Sequence, residues 1–504
     1  MYRVVPYSDK NLLEELVNKY TSKKSIIDKW HYLFLVEYLG NEGLNAKSIV
    51  VEEEYISKDF FSDYSAYYSV CFKNYPKYCK RLHFFDKDYS EKSFEKIILS
   101  KTNDDNFDKS YVGFVVVKPL PFTIIGFTLL KNYPTGTPDT RREYFGSRNY
   151  SIHLFGYRLK MKSLAFQEQD NVLSACATTA IWTTLQKAAE IDYHITIKTP
   201  YEITKDAGLM SPDGGRLFPN KNGLSMFQMC QSLTSSGLVV EVRQLFDSDG
   251  KLEYISNSYL KKIVYAYSPI GMPIILIVEV PNGDSYGLHA LSANGYKYKK
   301  TTPSKPKAEI SWKADDIEKI FVHDDQWGPF ARVEFGADNM LRTNWSEVKP
   351  TKAYAILIPV FPKIRLSYDD IEAISTGLDA MLTEAFNSMI THDFYWDIRV
   401  QFSEDYKDEI RKSDVIETIK STIQFKSLPK YLWVASCNVG NTKVFDFLFD
   451  ATEVANSMFM IDCIGFNPVV SRLFKKFMEK NPGFENIFNH PNRELFFTYL
   501  KNKL

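Results

Sequence analysis

Gln167-Glu168-Gln169-Asp170-Asn171-Val172-Leu173-Ser174-Ala175-Cys176-Ala177-Thr178-Thr179-Ala180-Ile181-Trp182 runs a polar loop into the start of a helix, with one cysteine at the junction. A thiol at a helix N-terminus meets unsatisfied N–H groups and the positive end of the macrodipole, an environment that favours the thiolate. Gln169, a few residues upstream, can bring a side-chain amide donor beside that sulfur. Taken alone, a single cysteine on a helix reads more readily as a small core residue.

Two later segments supply the partners such a sulfur needs. Tyr286-Gly287-Leu288-His289-Ala290-Leu291-Ser292-Ala293-Asn294-Gly295-Tyr296 places a histidine at the opening of an apolar strand. Ile320-Phe321-Val322-His323-Asp324-Asp325-Gln326-Trp327-Gly328-Pro329-Phe330 reads as a strand that ends in two acids and then Trp-Gly. A nucleophile, a base and a base-orienting carboxylate on separate elements is the triad logic of cysteine hydrolases.

In this order the pieces resemble the papain-like cysteine peptidases, and most of all their C39-like branch. The likeness rests on the Gln-then-Cys helix start, the run from Gly223-Leu224-Ser225 to Gly237-Leu238, the strand holding His289-Ala290 and Gly295-Tyr296, and the acidic strand end. It spans about 165–340. It implies an α+β fold in which an N-terminal helix carries the cysteine and an antiparallel sheet carries the histidine and the acid, with mixed α/β modules on either side. It also implies Cys176 as nucleophile, His289 as general base and then acid, and Gln169 as oxyanion donor. The family's Asp-Pro form selects Asp324 as the orienting acid, whereas its Asn-Ser-Trp-Gly form selects Asp325. The chain departs from the pattern at Ala177, where the family usually has Gly. Gln169 lies one residue further from the cysteine than is common, which leaves Gln167 or a backbone amide as alternative donors. The expected chemistry is hydrolysis of a peptide or isopeptide bond in a protein or peptide substrate, without metal or cofactor. Acyl transfer and deamidation are open to the same acyl-thioester.

Around this segment the chain divides into an N-terminal module (1–150), the peptidase-like domain (151–360) and a C-terminal module (361–504). Apolar spacing predicts helices near 12–20 and 26–39 and strands over 111–118 and 124–130. The stretch 132–142, rich in Pro, Gly, Thr and charge, reads as a linker or exposed loop. Helices follow over 175–189 and 224–235, then strands over 238–242, 273–280, 288–295, 319–323, 332–335 and 353–360. The last module reads as a helix over 368–389, strands over 431–437, 444–449 and 458–464, and a helix over 469–478.

Composition excludes several classes. Sixty-two Lys and Arg balance 62 Asp and Glu in 504 residues, so no overall field draws the chain to nucleic acid or an anionic membrane. The aromatics between Tyr64 and Phe85 carry no interleaved basic stripe for base stacking. No apolar run approaches the roughly 20 residues that span a bilayer. The N-terminus lacks the apolar core of a signal peptide, and six cysteines are too sparse for a disulfide scaffold. A cytoplasmic protein is expected, its flanking modules gating the cleft or binding a protein partner. The rival class is a catalytically silent papain-like scaffold or regulator.

Other residues read more plainly. His323 beside Asp324 and Asp325 raises a metal site, but an alternating strand turns His323 away from Asp324, and no Cys or His pair has zinc spacing. Cys71, Cys79, Cys437 and Cys463 read as structural. Cys230 falls in an apolar helical pattern with Leu224, Phe227 and Leu233. His31, His83, His153, His194, His392 and His490 show no evident partner. Asp213-Gly214-Gly215-Arg216 reads as a turn, and 297–307 as a solvated loop.

Overall fold

Tyr111–Val117 buries all seven of its residues, which is why it reads as an unbroken β-branched run and not an alternating one. In the computed structural model it is the fourth strand of a five-stranded antiparallel sheet that follows chain order. The strands are Tyr2–Pro6, Ser48–Tyr55, Cys79–Phe85, Tyr111–Val117 and Ile125–Leu130. Gly113 sits at φ +138°, and a Cβ there would lie 2.1 Å from the Leu129 carbonyl oxygen. Only glycine fits that approach. The structure describes residues 2–170, 172, 175–208, 223–282, 285–299, 310–343, 351–386, 394–440, 442–454, 460–481, 483 and 493–504. The Asp213–Arg216 turn, most of the 297–307 loop, His392 and His490 lie outside them.

The chain is mixed α and β with several antiparallel sheets, and it forms two compact units. The first comprises Met1–Ile255, Met272–Lys297 and Lys319–Val360; the second comprises Ser256–Gly271, Tyr298–Glu318 and Phe361–Leu504. Residues 1–150 thus share a unit with the cysteine, histidine and acid segments. The cause is a common core: Leu12, Leu35, Leu82, Phe166 and Phe330 belong to one buried cluster, and Thr128 bridges Phe166 in β fashion.

The first unit also holds a nine-stranded sheet. Along it lie Val239–Arg243, Thr351–Val360, Met340–Arg342, Gly328–Phe335, Ile317–Asp324, Ser285–Lys299, Thr140–Glu143 and Gly136–Thr137. Ile274–Asn282 pairs with both Ser285–Lys299 and Thr351–Val360, so six of the strands close a hydrogen-bonded ring. The stretch 132–142, expected as a linker or exposed loop, is a largely exposed hairpin of Gly136–Thr137 and Thr140–Glu143 at the sheet's edge. Its polar composition reflects an exposed edge, not a boundary between modules.

The second unit is built on a five-stranded sheet in the order Ser311–Trp312, Phe394–Phe402, Tyr431–Val439, Thr442–Asp450, Met460–Gly465. Its first pair is parallel and the others are antiparallel. The helix Asn257–Tyr267 belongs here because its side chains are committed here. Tyr259 donates to Asp369 at 2.7 Å, Lys262 pairs with Glu372 at 2.5 Å, and the Tyr267 ring stands 5.2 Å from that of Trp433. Among the described residues no helix is long and apolar enough to cross a membrane.

Several predicted elements are refined. The pattern over 26–39 splits into Lys23–Ile27 and Trp30–Leu39. The helix Met226–Ser235 buries Gln228, Met229, Ser232 and Leu233, while Phe227 is 71% exposed and Cys230 half-buried. Of the expected core face, Leu233 is buried and Phe227 is not. Ser232 joins the buried face, because its hydroxyl donates to the buried Ile203 carbonyl.

Candidate active site

Cys176 is the first residue of the helix Cys176–Ile191, which is buried along almost its whole length. Its threonines supply the explanation for a polar helix in the interior. Thr178 shares a hydrogen bond with Thr204, and Thr179 and Thr184 donate back to the Ala175 and Ala180 carbonyls. The residue preceding the helix, Ala175, offers no capping oxygen. Cys176 itself is half-buried.

His289 is 2% exposed on the strand Ser285–Lys299, opposite Val278. Its Nε2–H donates to Asp324 Oδ1 at 2.9 Å. Cys176 is among the groups that favour the protonated form of this ring. Burial opposes protonation of this imidazole. Asp324, Cys176 and Asp325 together overcome it and raise its pKa well above the ordinary value.

Asp324 closes the strand Ile317–Asp324, where the register slips before Asp324 pairs with Gly328. The same Oδ1 accepts from the Gln326 N–H at 3.1 Å, and the Trp327 N–H donates to the Asp324 carbonyl at 2.9 Å. This Asx-type turn fixes the carboxylate that meets the histidine. Asp325 lies next to it but 3.7 Å from His289 Nε2, beyond hydrogen-bond range. Burial, reinforced by Asp324 and opposed by His289, pushes the Asp325 carboxyl up to about 7.

Nε2 of His289 and an oxygen from each acid lie within 4.8 Å of one another, a spacing that a cation could bridge. The 2.9 Å bond to Asp324 instead uses the ring nitrogen for a proton. His323 is not part of this group. It is buried edge-on to Phe166 and Phe330, and burial drives its pKa down to about 3.

Gln169 is half-buried and lines a cavity of about 290 Å³ together with Asp325. Gln167 is buried, and its Nε2 has no hydrogen-bond partner among the described residues. Sequence reasoning missed the supports that the N-terminal segment provides. His31 Nε2–H donates to the Asp325 carbonyl at 2.8 Å, and Lys29 pairs with the buried Glu168 at 2.8 Å. No spacing rule could have linked His31 to a backbone oxygen 294 residues away.

The helix Trp30–Leu39 also braces the acid-bearing hairpin. A Cβ on Gly328 would lie 2.3 Å from the Phe34 ring. Gly328→Ala is expected to destabilise the protein by about 1–3 kcal/mol through overpacking, read as a lower midpoint in urea denaturation. A midpoint equal to wild type would show that Phe34 gives way freely.

No protein-family model matches this chain, and no curated protein matches it.

Proposed function

We propose that the chain is a cysteine peptidase of papain-like architecture that hydrolyses a peptide or isopeptide bond through Cys176, His289 and Asp324. One observation carries the reading: a buried imidazole is held at 2.9 Å by a carboxylate, and its protonated form is favoured by that acid and by the helix-terminal Cys176. A raised imidazole is the proton-holding partner that a thiolate requires.

In this mechanism the Cys176 thiolate attacks the scissile carbonyl carbon and the π bond moves onto oxygen. The Cys176 N–H and the Gln169 amide hold that oxyanion, at roughly 3 kcal/mol for a well-placed donor. Gln169 is preferred to Gln167 because it is half-buried whereas Gln167 is buried. The tetrahedral adduct collapses, and His289 gives its Nδ1 proton to the departing amine. The imidazole then takes a proton from water as water attacks the thioester, releasing the acid and restoring the thiolate–imidazolium pair. Asp324 fixes the ring orientation throughout. The chemistry needs a reduced Cys176, which suits a reducing cytoplasm.

The test is alkylation of the native protein by iodoacetamide at pH 6, where an ordinary thiol is largely protonated. Cys176 is expected to label at least about tenfold faster than half-buried Cys230. Equal rates would leave the scaffold reading in its place.

A further inference from the structure

The helix Trp30–Leu39 meets the turn that follows Asp324 with three of its first five residues. The Trp30 ring stands 5.7 Å from that of Trp327, the His31 Nε2–H donates to the Asp325 carbonyl at 2.8 Å, and the Phe34 ring packs on Gly328. His31 is buried, and a hydrogen bond shielded from water is the stronger for it.

The carbonyl that His31 reaches belongs to the same peptide group as the Gln326 N–H, and that N–H donates to Asp324 Oδ1 at 3.1 Å. A trans peptide is planar, so its C=O and N–H point in opposite directions and turn together. Fixing the oxygen from one side therefore fixes the hydrogen on the other. Donation to the carbonyl also polarises the peptide and strengthens its N–H as a donor. Asp324 Oδ1 in turn takes the His289 Nε2–H at 2.9 Å. A continuous path of hydrogen bonds thus joins His31 to His289 through one peptide and one carboxylate oxygen.

His31 is itself kept in the donating form. Burial first, and then Lys29, hold the imidazole neutral against the pull of Glu168. A neutral ring carries one proton, and the bond to the carbonyl places it on Nε2. Glu168 does not draw the ring away. It stands 3.8 Å from Nδ1, and its oxygens take Lys29 Nζ at 2.8 Å and the Ile125 N–H at 2.9 Å.

We propose that His31 is a positioning residue of the candidate site, which through the Asp325–Gln326 peptide aims the Asp324 carboxylate at His289. Its effect on reactivity rests on the peptidase reading; its hold on the carboxylate does not. The acid of the site is set by a side chain from the opening segment of the chain.

The experiment follows isotope-labelled full-length protein by NMR. Wild type is compared with His31→Phe, which keeps ring volume without a donor, and with His31→Gln, which keeps an N–H donor on a side chain of similar reach. In His31→Phe the Gln326 amide and the His289 Nε2–H are expected to exchange with water at least about tenfold faster, the scale of one hydrogen bond. In His31→Gln both should stay within about threefold of wild type. Amides of the strand Tyr111–Val117 should be unchanged in both variants. Iodoacetamide at pH 6 adds a chemical readout: Cys176 should label at least about fivefold more slowly in His31→Phe, and His31→Gln should restore the rate. Wild-type exchange in His31→Phe overturns the proposal, as does a His31→Gln variant as perturbed as His31→Phe. Faster exchange that extends to Tyr111–Val117 assigns His31 to packing and overturns it too. Should His31→Phe fail to fold, the wild-type ring decides: a proton on Nε2 sustains the proposal and a proton on Nδ1 overturns it. The peptidase reading fails separately, when wild-type Cys176 labels no faster than Cys230, and the exchange rates still decide the role of His31.

Discussion

Cys176→Ala is expected to abolish substrate cleavage, by a factor on the order of 10⁴ or more, while the protein stays folded. The magnitude follows from the role. Removing the nucleophile deletes the covalent route entirely, and the remaining groups supply only binding and oxyanion stabilisation. The change is mild for the fold, because Cys176 is half-buried at a helix start and alanine is a good helix former. Unbiased cleavage-site profiling with wild type and Cys176→Ala reads the effect and reveals the substrate at once. If both proteins release the same fragments, the thiol is not the reaction centre.

The second large effect concerns Asp324. Asp324→Ala is expected to lower turnover by roughly 10²–10⁴-fold, since the imidazole loses the group that fixes its orientation. It should also change stability with a defined pH dependence. The pKa of His289 is raised in the folded protein, despite burial, by Asp324 first and then by Cys176 and Asp325. A raised group contributes stability that is complete below its unfolded value, about 6.5, and is lost as pH rises through the folded value. The variant should therefore lose most at pH 6, by about 3 kcal/mol, and progressively less as the pH is raised. Urea denaturation at pH 6 and pH 9 measures this. Asp324→Asn separates orientation from charge: its oxygen can still accept from His289 and Gln326, so turnover should exceed that of the alanine variant yet stay below wild type, because the imidazole titration, followed by NMR, stays low. An alanine variant equally destabilised at both pH values would mean that Asp324 acts by packing alone.

Periodicity made the long elements legible. The helix Cys176–Ile191 and the strands Ile274–Asn282 and Thr351–Val360 follow directly from their apolar patterns. Ser48–Tyr55 escaped because it runs from four buried residues into a charged, half-exposed end, matching neither a buried nor an alternating template. Cys176 and the acid pair stood out because they sit at the ends of elements, and His289 because it is a lone ionisable residue at the head of an apolar run. Adjacent acids could not be told apart by pattern. The turn decides, since Oδ1 of Asp324 takes both the Gln326 amide and the histidine. The contribution of Lys29 and His31 arises only from tertiary packing, through an ion pair and a backbone oxygen that no local motif encodes.

The path of the chain between its two units carries a further consequence. It crosses from one to the other after residues 255, 271, 297, 318 and 360. A cut after Val360 would strand the helix Asn257–Tyr267 without Asp369, Glu372 and Trp433. A cut near residue 150 would strip Leu12, Leu35 and Leu82 from the core that holds Phe166 and Phe330. Neither terminal segment can therefore serve as a detachable propeptide. A protease cut at either place is therefore expected to unfold the unit it enters, not to release a finished one.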